Sequence, residues 1–421
     1  MKKSRLDDVR WMPGDIGASR LITIPLIIIG GILIMLVIGI IASAISNIGL
    51  PTRSEVIERL SSRSKARLAE YFRLHTSLGS EIWPGSEEQA GWGETPIPVI
   101  VHNEAYAFLV GFPGTPSDGW QTVPAGQTYG GPWEIVPDDT FQGEPYYRQP
   151  LDGATRTPEN FAVKVGDRWV GTLFTKEYAR ISFYQGFRQD LPPFLRPIIP
   201  YRLLYSLVLG PTETYVEGLC HEAFHAYQGV RAPMRFAANE EVHGLINRYP
   251  WHDDTLSEPW RRELDLLRQG AHAASDEDAT DEQVADLARA FLAQRETRRA
   301  MDGMSPTYID YERKREWLEG LAKYSELKIG LEAHQAFEDG SYTPVPELHD
   351  DPRFRNYRGQ ARYWNAQIEE LKRMTHREEI RLYHTGMAQA VMLDRLMPDW
   401  KTRIWMEDVW LEELLAEVVN E

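Results

Sequence analysis

Hydrophobic positions divide this chain into three unlike stretches. Leu21 to Ile45 is a run of 25 residues without a charge, and about 20 apolar residues let a helix span a bilayer, a longer run doing so with some tilt. The apolar core of a cleaved signal peptide is shorter, about 7–15 residues, so the run predicts an uncleaved membrane helix. Further on, short segments rich in β-branched and aromatic residues predict strands. Ile97–His102 and Tyr106–Gly111 form a hairpin pattern across Asn103-Glu104. Trp133–Val136 and Pro145–Gln149 are shorter candidates, and Phe161–Val165 and Trp169–Thr175 flank Gly166-Asp167, a good two-residue turn. From Tyr201 onward the spacing is helical. Tyr201–Gln228 predicts two pieces broken at Gly210-Pro211, and helices are expected around Val284–Leu292, Tyr308–Leu331, Arg355–Arg373, Tyr383–Leu396 and Trp405–Val419.

Turn and cap residues set the expected boundaries. Thr52 and Glu55 are spaced as a capping box for a helix over 56–78. Thr214 and Glu217 are spaced in the same way ahead of a helix that Gly229 would end. Residues 84–93 and 270–283 read as solvated loops, and 344–352 as a linker. Residues 190–200 hold four prolines, Pro192, Pro193, Pro197 and Pro200, which exclude a regular helix. That segment is expected to be a packed loop, with a lid or a membrane-touching loop as the sharper alternative.

The predicted helix after Pro211 carries His221-Glu222-Ala223-Phe224-His225, an HExxH element. Positions i and i+4 lie one above the other on a helix, so the two imidazoles can grip one Zn²⁺ while Glu222 reaches the water beside it. A catalytic zinc site needs a third protein ligand. His243 lies in irregular surroundings, and no His-x-x-Gly-x-x-His follows the motif. The better candidate is Glu319 in Glu316-Trp317-Leu318-Glu319-Gly320-Leu321-Ala322-Lys323-Tyr324, with Glu316 the rival one turn earlier. Gly320 costs about 1 kcal/mol relative to alanine inside a helix, and it is expected to let this helix approach the first. Cys220 is the single cysteine. It excludes an intrachain disulfide and is expected to be a small core residue.

An HExxH helix followed by W-L-x-E-G-L-A-x-Y resembles the gluzincin metallopeptidases, specifically the peptidase MA-like group. The resemblance implies that His221, His225 and Glu319 hold Zn²⁺ and that Glu222 is the catalytic base. The gap of 319 − 225 = 94 residues is longer than in compact gluzincins. Lys323 stands where the thermolysin form has an aspartate, so the carboxylate that orients a ligand histidine must come from elsewhere. The resemblance also implies that an edge strand of the small sheet binds the substrate backbone. It further implies a Tyr or His beyond the third ligand that donates to the oxygen gaining charge. Tyr383, three residues before Gly386 at the start of an apolar helix, is the first choice, with His384 and Tyr324 as alternatives and His376 close by.

Charge and composition fix the surroundings. Hydrophobic content of 43% with 13 tryptophans supports a substantial core. Residues 1–46 hold five basic and three acidic side chains, a net +2, so the remainder carries −16 − 2 = −18. Such a balance excludes nucleic acid as the expected partner. The five Lys/Arg before Leu21 against one, Arg53, soon after Ile45 place the N-terminus in the cytoplasm. The expected organisation is a cytoplasmic tail (1–20), a transmembrane signal-anchor helix (21–46), and a juxtamembrane helix and loop (47–93). A β-rich subdomain (94–200) and a helical zinc metallopeptidase subdomain (201–421) follow. The fold class is α+β and, by resemblance, zincin-like: a small antiparallel or mixed β region followed by a mainly helical zinc-binding part. The expected function is a single-pass, membrane-anchored zinc metalloprotease with an extracytoplasmic catalytic domain and a peptide or protein substrate. The alternatives are a zinc hydrolase of a non-peptide amide or ester and a catalytically silent surface protein with a structural zinc helix.

Overall fold

The computed structural model describes residues 31, 34–124, 126–151, 158, 161–208 and 210–420. The chain divides into two units, Met1–Thr52 with Ser182–Val208, and Arg53–Ile181 with Leu209–Glu421. In the smaller unit a helix over 34–46 (α1) exposes Ile34, Val37, Ile38, Ile41 and Ile45. Much of the Leu21–Ile45 run lies outside the described residues, and among those described no helix is long and apolar enough to cross a membrane.

The larger unit is mixed α+β. Its first helix, α2 (Ser62–Ile82), is capped by Ser61, whose side chain accepts from the Ser64 amide. The Thr52–Glu55 box is therefore not used. Glu104 accepts from the Ser54 amide and hydroxyl, and Asn103 donates to the Ile57 carbonyl. Those bonds satisfy the Ser54 amide and the Ile57 carbonyl at the first hairpin, where 54–57 is non-helical.

Among the described residues, eight strands form one sheet: β1 (Val99–His102), β2 (Tyr106–Val110), β3 (Trp120–Thr122), β4 (Thr128–Tyr129), β5 (Glu134–Ile135), β6 (Tyr147–Pro150), β7 (Phe161–Val165) and β8 (Arg168–Phe174). The order is β4-β3-β7-β8-β1-β2-β6-β5. Among the described strands only β1 and β8 run parallel, with Val99 opposite Gly171. The expected hairpins 97–111 and 161–175 are present, while β3 and β4 are too short to leave a periodic signal. Alternation separates two faces. Val99, Val101, Phe108 and Val110 join the main core, and Ile100, Ala107 and Leu109 pack on the other face with Trp120 and Val170.

Helices α3 (Lys176–Asp190) and α4 (Tyr201–Val208) follow the sheet, then α5 (Thr212–Arg231), which carries the HExxH element. α5 starts earlier than the Thr214–Glu217 pattern suggests. Pro211 sits at its N-cap with no side-chain bond, and the Thr212 amide donates to the Arg353 carbonyl. Thr214 is thus already inside the helix, and Glu217 is buried. Gly229 does not end it either: α5 runs on to Arg231, and a Cβ at 229 would come 2.4 Å from the Trp169 ring. Glycine at 229 serves packing on β8. Gly171 serves the same end, since its Cβ would lie 2.9 Å from the Ala223 amide nitrogen. The helix bearing the HExxH element therefore rests directly on the sheet backbone.

Helices α6 (Pro233–Glu241), α7 (Asp254–Ala274), α8 (Asp281–Arg299) and α9 (Pro306–Arg315) come next. The expected loop 270–283 shrinks to the residues between Ala274 and Thr280, which caps α8 with Gln283 as a capping box. The expected helix 308–331 is interrupted. A π-helical turn, Glu316–Gly320, joins α9 to α10 (Leu321–Glu338). After α11 (Gln360–Glu369), α12 (Ile380–Leu396) packs against that turn. A Cβ on Gly320 would lie 2.5 Å from the Gly386 Cα, and one on Gly386 would lie 2.6 Å from the Glu316 carbonyl. Gly320 thus admits α12, not the HExxH helix as expected. Two last helices, α13 (Trp400–Arg403) and α14 (Leu411–Asn420), close the unit.

Buried ion pairs knit the helical side. Arg295 of α8 pairs with Glu263, Glu316 and Glu412, Arg298 with Glu263 and Glu312, and Arg299 with Glu312 and Glu412. Cys220 is fully buried, as expected of a small core residue.

Candidate metal centre

His221 and His225 stand one turn apart on α5, and Glu319 comes from the π turn that faces them. The Nε2 atoms of His221 and His225 lie 3.5 and 3.3 Å from one Glu319 oxygen, Oε2. All three residues are buried, and their candidate ligand atoms lie within 4.8 Å of one another. Such a group can hold a metal ion. The rival Glu316 is turned away. Its two oxygens take Arg295 at 2.6 and 2.9 Å, and Thr385 donates to one of them at 2.6 Å.

The neighbours fix the form of each ligand. His221 Nδ1 lies 3.0 Å from Glu326 Oε2, and His225 Nδ1 lies 2.9 Å from Gln228 Oε1. Both partners are acceptors toward these nitrogens, so each Nδ1 carries a proton, and each Nε2, turned toward Glu319, is the atom that would give its lone pair to a bound metal ion. Gln228 in turn donates to the carbonyls of Trp317 and Leu318 at 2.9 and 3.1 Å. One side chain thereby orients His225 and ties α5 to the turn that bears Glu319. Arg315, one turn before Glu319, donates to its second oxygen, Oε1, at 2.6 Å, and also meets Glu240 and Glu379. This contact leaves Oε2 to the two imidazoles.

Glu326 is the orienting carboxylate absent from position 323. It lies seven residues beyond Glu319, two helical turns on the same face. Lys323 neutralises it with a 2.6 Å bond to Oε1. Sequence reading missed Glu326, Gln228 and Arg315. The spacings 225–228, 315–319 and 319–326 carried a signal, because each places two polar residues on one helix face.

The electrostatics suit a cation. Burial works against charge on His221, yet hydrogen bonds to Glu319 and Glu326 outweigh it and hold the imidazole up to about 10. Burial likewise opposes the carboxylate of Glu319, but His225 and Arg315 keep it well below the usual range. Glu326 falls to about 2 against the same opposition, through Lys323 and His221. The carboxylates that draw a proton into the cluster would equally favour a metal ion. Glu222 behaves in the opposite way. Burial pushes it up to about 8, His221 opposing and Glu319 and Glu326 adding to the rise; a cation held by the three neighbours would oppose it further and favour the carboxylate that accepts a proton. Its Oε2 is shielded from solvent and has no hydrogen-bond partner among the described residues.

Tyr383 lies in the first full turn of α12. Its ring is stacked on His221, centroids 6.0 Å apart and planes 9° apart. Burial and the adjacent Glu319 raise its hydroxyl above the ordinary tyrosine value, so it is a protonated donor. The alternatives are placed elsewhere. Tyr324 is buried and donates to Asp394 at 2.5 Å. His384 is buried and is lowered to about 3, chiefly by burial and then by Lys323. His376 is exposed, and His243 is largely exposed with only a 3.6 Å contact to Glu379. Phe161 of β7 packs against His225 with ring centroids 4.7 Å apart. Strand β7 is thus in ring contact with the histidine pair. Comparison with protein-family models, with curated proteins and with solved structures finds no match for this chain, and its functional reading stands on this geometry.

Proposed function

We propose that this chain is a zinc metallopeptidase of the gluzincin type. The N-terminal apolar run would anchor it in a membrane, with the catalytic body outside the cytoplasm. The observation that carries the reading is the convergence of His221 Nε2 and His225 Nε2 on Glu319 Oε2 beside Glu222, whose Oε2 has no hydrogen-bond partner among the described residues. Two imidazoles and one carboxylate are the donor set of hydrolytic zinc sites that keep a position open. A purely structural site has no need of a base between its ligands.

Zinc bound here would polarise a carbonyl and lower the pKa of water to about 7. The remaining steps fall to the chain's own residues. Glu222 takes a proton from the attacking water and returns it to the leaving amine. Tyr383 donates from its phenol to the oxygen that gains charge. Glu326 and Gln228 hold the imidazoles in the tautomer that binds metal, and Arg315 keeps Glu319 turned toward them.

The test is metal content together with cleavage of a mixed peptide library by the purified full-length protein. One zinc per chain and hydrolysis abolished by chelation are expected. A chain without stoichiometric zinc, or a zinc-loaded chain that leaves every peptide intact, would overturn the reading. Two variants probe its parts. Glu326→Ala should weaken zinc binding about 10–100-fold, read by competition with a chromophoric chelator. Tyr383→Phe should lower kcat by about 10²–10³-fold with KM and zinc content nearly unchanged. A tyrosine variant with full kcat would assign the donor role to another residue.

A further inference from the structure

The smaller unit carries an apolar surface that the metal centre does not use. Helix α4 is amphipathic at helical spacing. Tyr201 and Tyr205, one turn apart, are buried, whereas Leu203, Leu207 and Val208 are 56–71% exposed. Phe194, in the proline-rich turn before it, is 74% exposed, and Phe187 at the end of α3 is 43% exposed. The buried side of α4 is held by rings from the last part of α3. Phe183 and Tyr184 lie 5.7 and 5.9 Å from Tyr205. The exposed apolar face is therefore a fixed feature, not a loosely packed segment.

That face is tied to the end of α1. Asn47 donates to the Pro197 and Ile199 carbonyls at 3.1 and 2.8 Å. Arg202 of α4 donates to the Ser46 and Gly49 carbonyls at 2.8 and 3.2 Å. Four hydrogen bonds thus join the C-terminal end of α1 to the Pro197–Arg202 stretch, and Arg202 satisfies a carbonyl left open at that helix end. The exposed apolar side chains of α1 and α4 thus flank one hydrogen-bonded junction. The charge here has the opposite sign to the rest of the chain. Residues 182–208 contain Arg188, Arg196 and Arg202 against Asp190 alone, 3 − 1 = +2, in a protein of net charge −16. Arginines beside aromatic and aliphatic residues, on an amphipathic helix, are the composition that lies in a bilayer interface and attracts anionic headgroups.

We infer that α4 and the Phe194 turn form an interfacial foot, embedded in the leaflet from which the N-terminal anchor emerges. The protein then meets the bilayer through two elements. Leu203, Leu207, Val208 and Phe194 enter the acyl boundary, while Arg188 and Arg196 stay at headgroup level and Arg202 holds the anchor's end. This rests on the membrane-anchor reading, which it extends to a second contact with anionic lipid.

The test uses the full chain, reconstituted into phosphatidylcholine vesicles containing phosphatidylglycerol. Phe194→Cys, Leu207→Cys, Ile38→Cys and Glu277→Cys each accept an environment-sensitive fluorophore, because the native Cys220 is fully buried. At positions 194 and 207, a lipid carrying a shallow nitroxide should cause at least about a twofold loss of fluorescence, with little effect of aqueous iodide. Position 277 should show the reverse. If positions 194 and 207 respond to iodide as 277 does while 38 is quenched by lipid, the foot is disproved and the anchor stands. If position 38 also responds only to iodide, the anchor reading falls and the foot with it. Shielding of 194 and 207 from both quenchers, with 38 in lipid, would mean that protein covers the face and would likewise overturn the proposal.

Discussion

Glu222→Gln is expected to keep zinc at one per chain and to lose hydrolysis by at least about 10²–10⁴-fold in kcat. The amide has nearly the volume of the carboxylate, so α5 and its two histidines should stay in place. It cannot accept a proton, and proton acceptance is the role assigned to this side chain. The environment of Glu222 sharpens the expectation. Its Oε2 makes no hydrogen bond among the described residues, so the substitution breaks no described contact at that atom. Loss of activity with unchanged metal content and unchanged thermal unfolding would therefore report chemistry alone. Comparable turnover by the glutamine variant would remove Glu222 from the mechanism.

Glu319→Ala and Glu316→Ala are expected to separate metal binding from folding, although the two residues lie on the same π turn. Glu319 offers Oε2 to both histidines. Its loss should weaken zinc binding by more than the ~10²-fold that removal of a supporting partner costs, and activity should vanish with the metal. The fold should survive, because Arg315 retains Glu240 and Glu379. Glu316 instead neutralises Arg295, which is 2% exposed. Removing Glu316 leaves Arg295 its bonds to Glu263 and Glu412, but it takes away both Glu316 contacts and the 2.6 Å acceptor of the buried Thr385 hydroxyl, at about 1–3 kcal/mol for a buried donor left unpaired. Glu316→Ala should thus unfold at markedly lower denaturant while the folded fraction binds zinc normally. Metal titration and denaturant unfolding of both variants decide the matter. Zinc loss in Glu316→Ala with full occupancy in Glu319→Ala would reverse the ligand assignment.

The local elements of this chain were legible where a single segment carried the whole signal. The HExxH spacing placed His221 and His225 on one helix face because helical periodicity is a local property. The two main hairpins followed from alternation and their turns, and the buried thiol of Cys220 from its place beside the motif. Boundaries were less legible. The Thr52–Glu55 and Thr214–Glu217 pairs have capping-box spacing, yet a hydrogen bond to Glu104, one from Asn103 and a backbone bond to Arg353 satisfy backbone groups there by other means. Caps compete with distant partners, and only the folded chain decides between them.

What tertiary structure alone decided is the use of the residues between distant segments. Glu316 and Glu319 are both plausible ligands in the sequence. A π turn and the contact of Gly320 with Gly386 rotate one toward α5 and the other toward Arg295. Gly171 and Gly229 read as a strand residue and a helix stop, but both exist so that α5 can lie on the sheet. The missing carboxylate at position 323 is replaced by Glu326, because two turns of helix bring it to the same face as Glu319. The chain by itself determined that two histidines could share a metal ion. The choice of Glu319, Glu326 and Gln228 to complete and orient that pair depended on close packing between elements up to 105 residues apart, a contact that no local periodicity encodes.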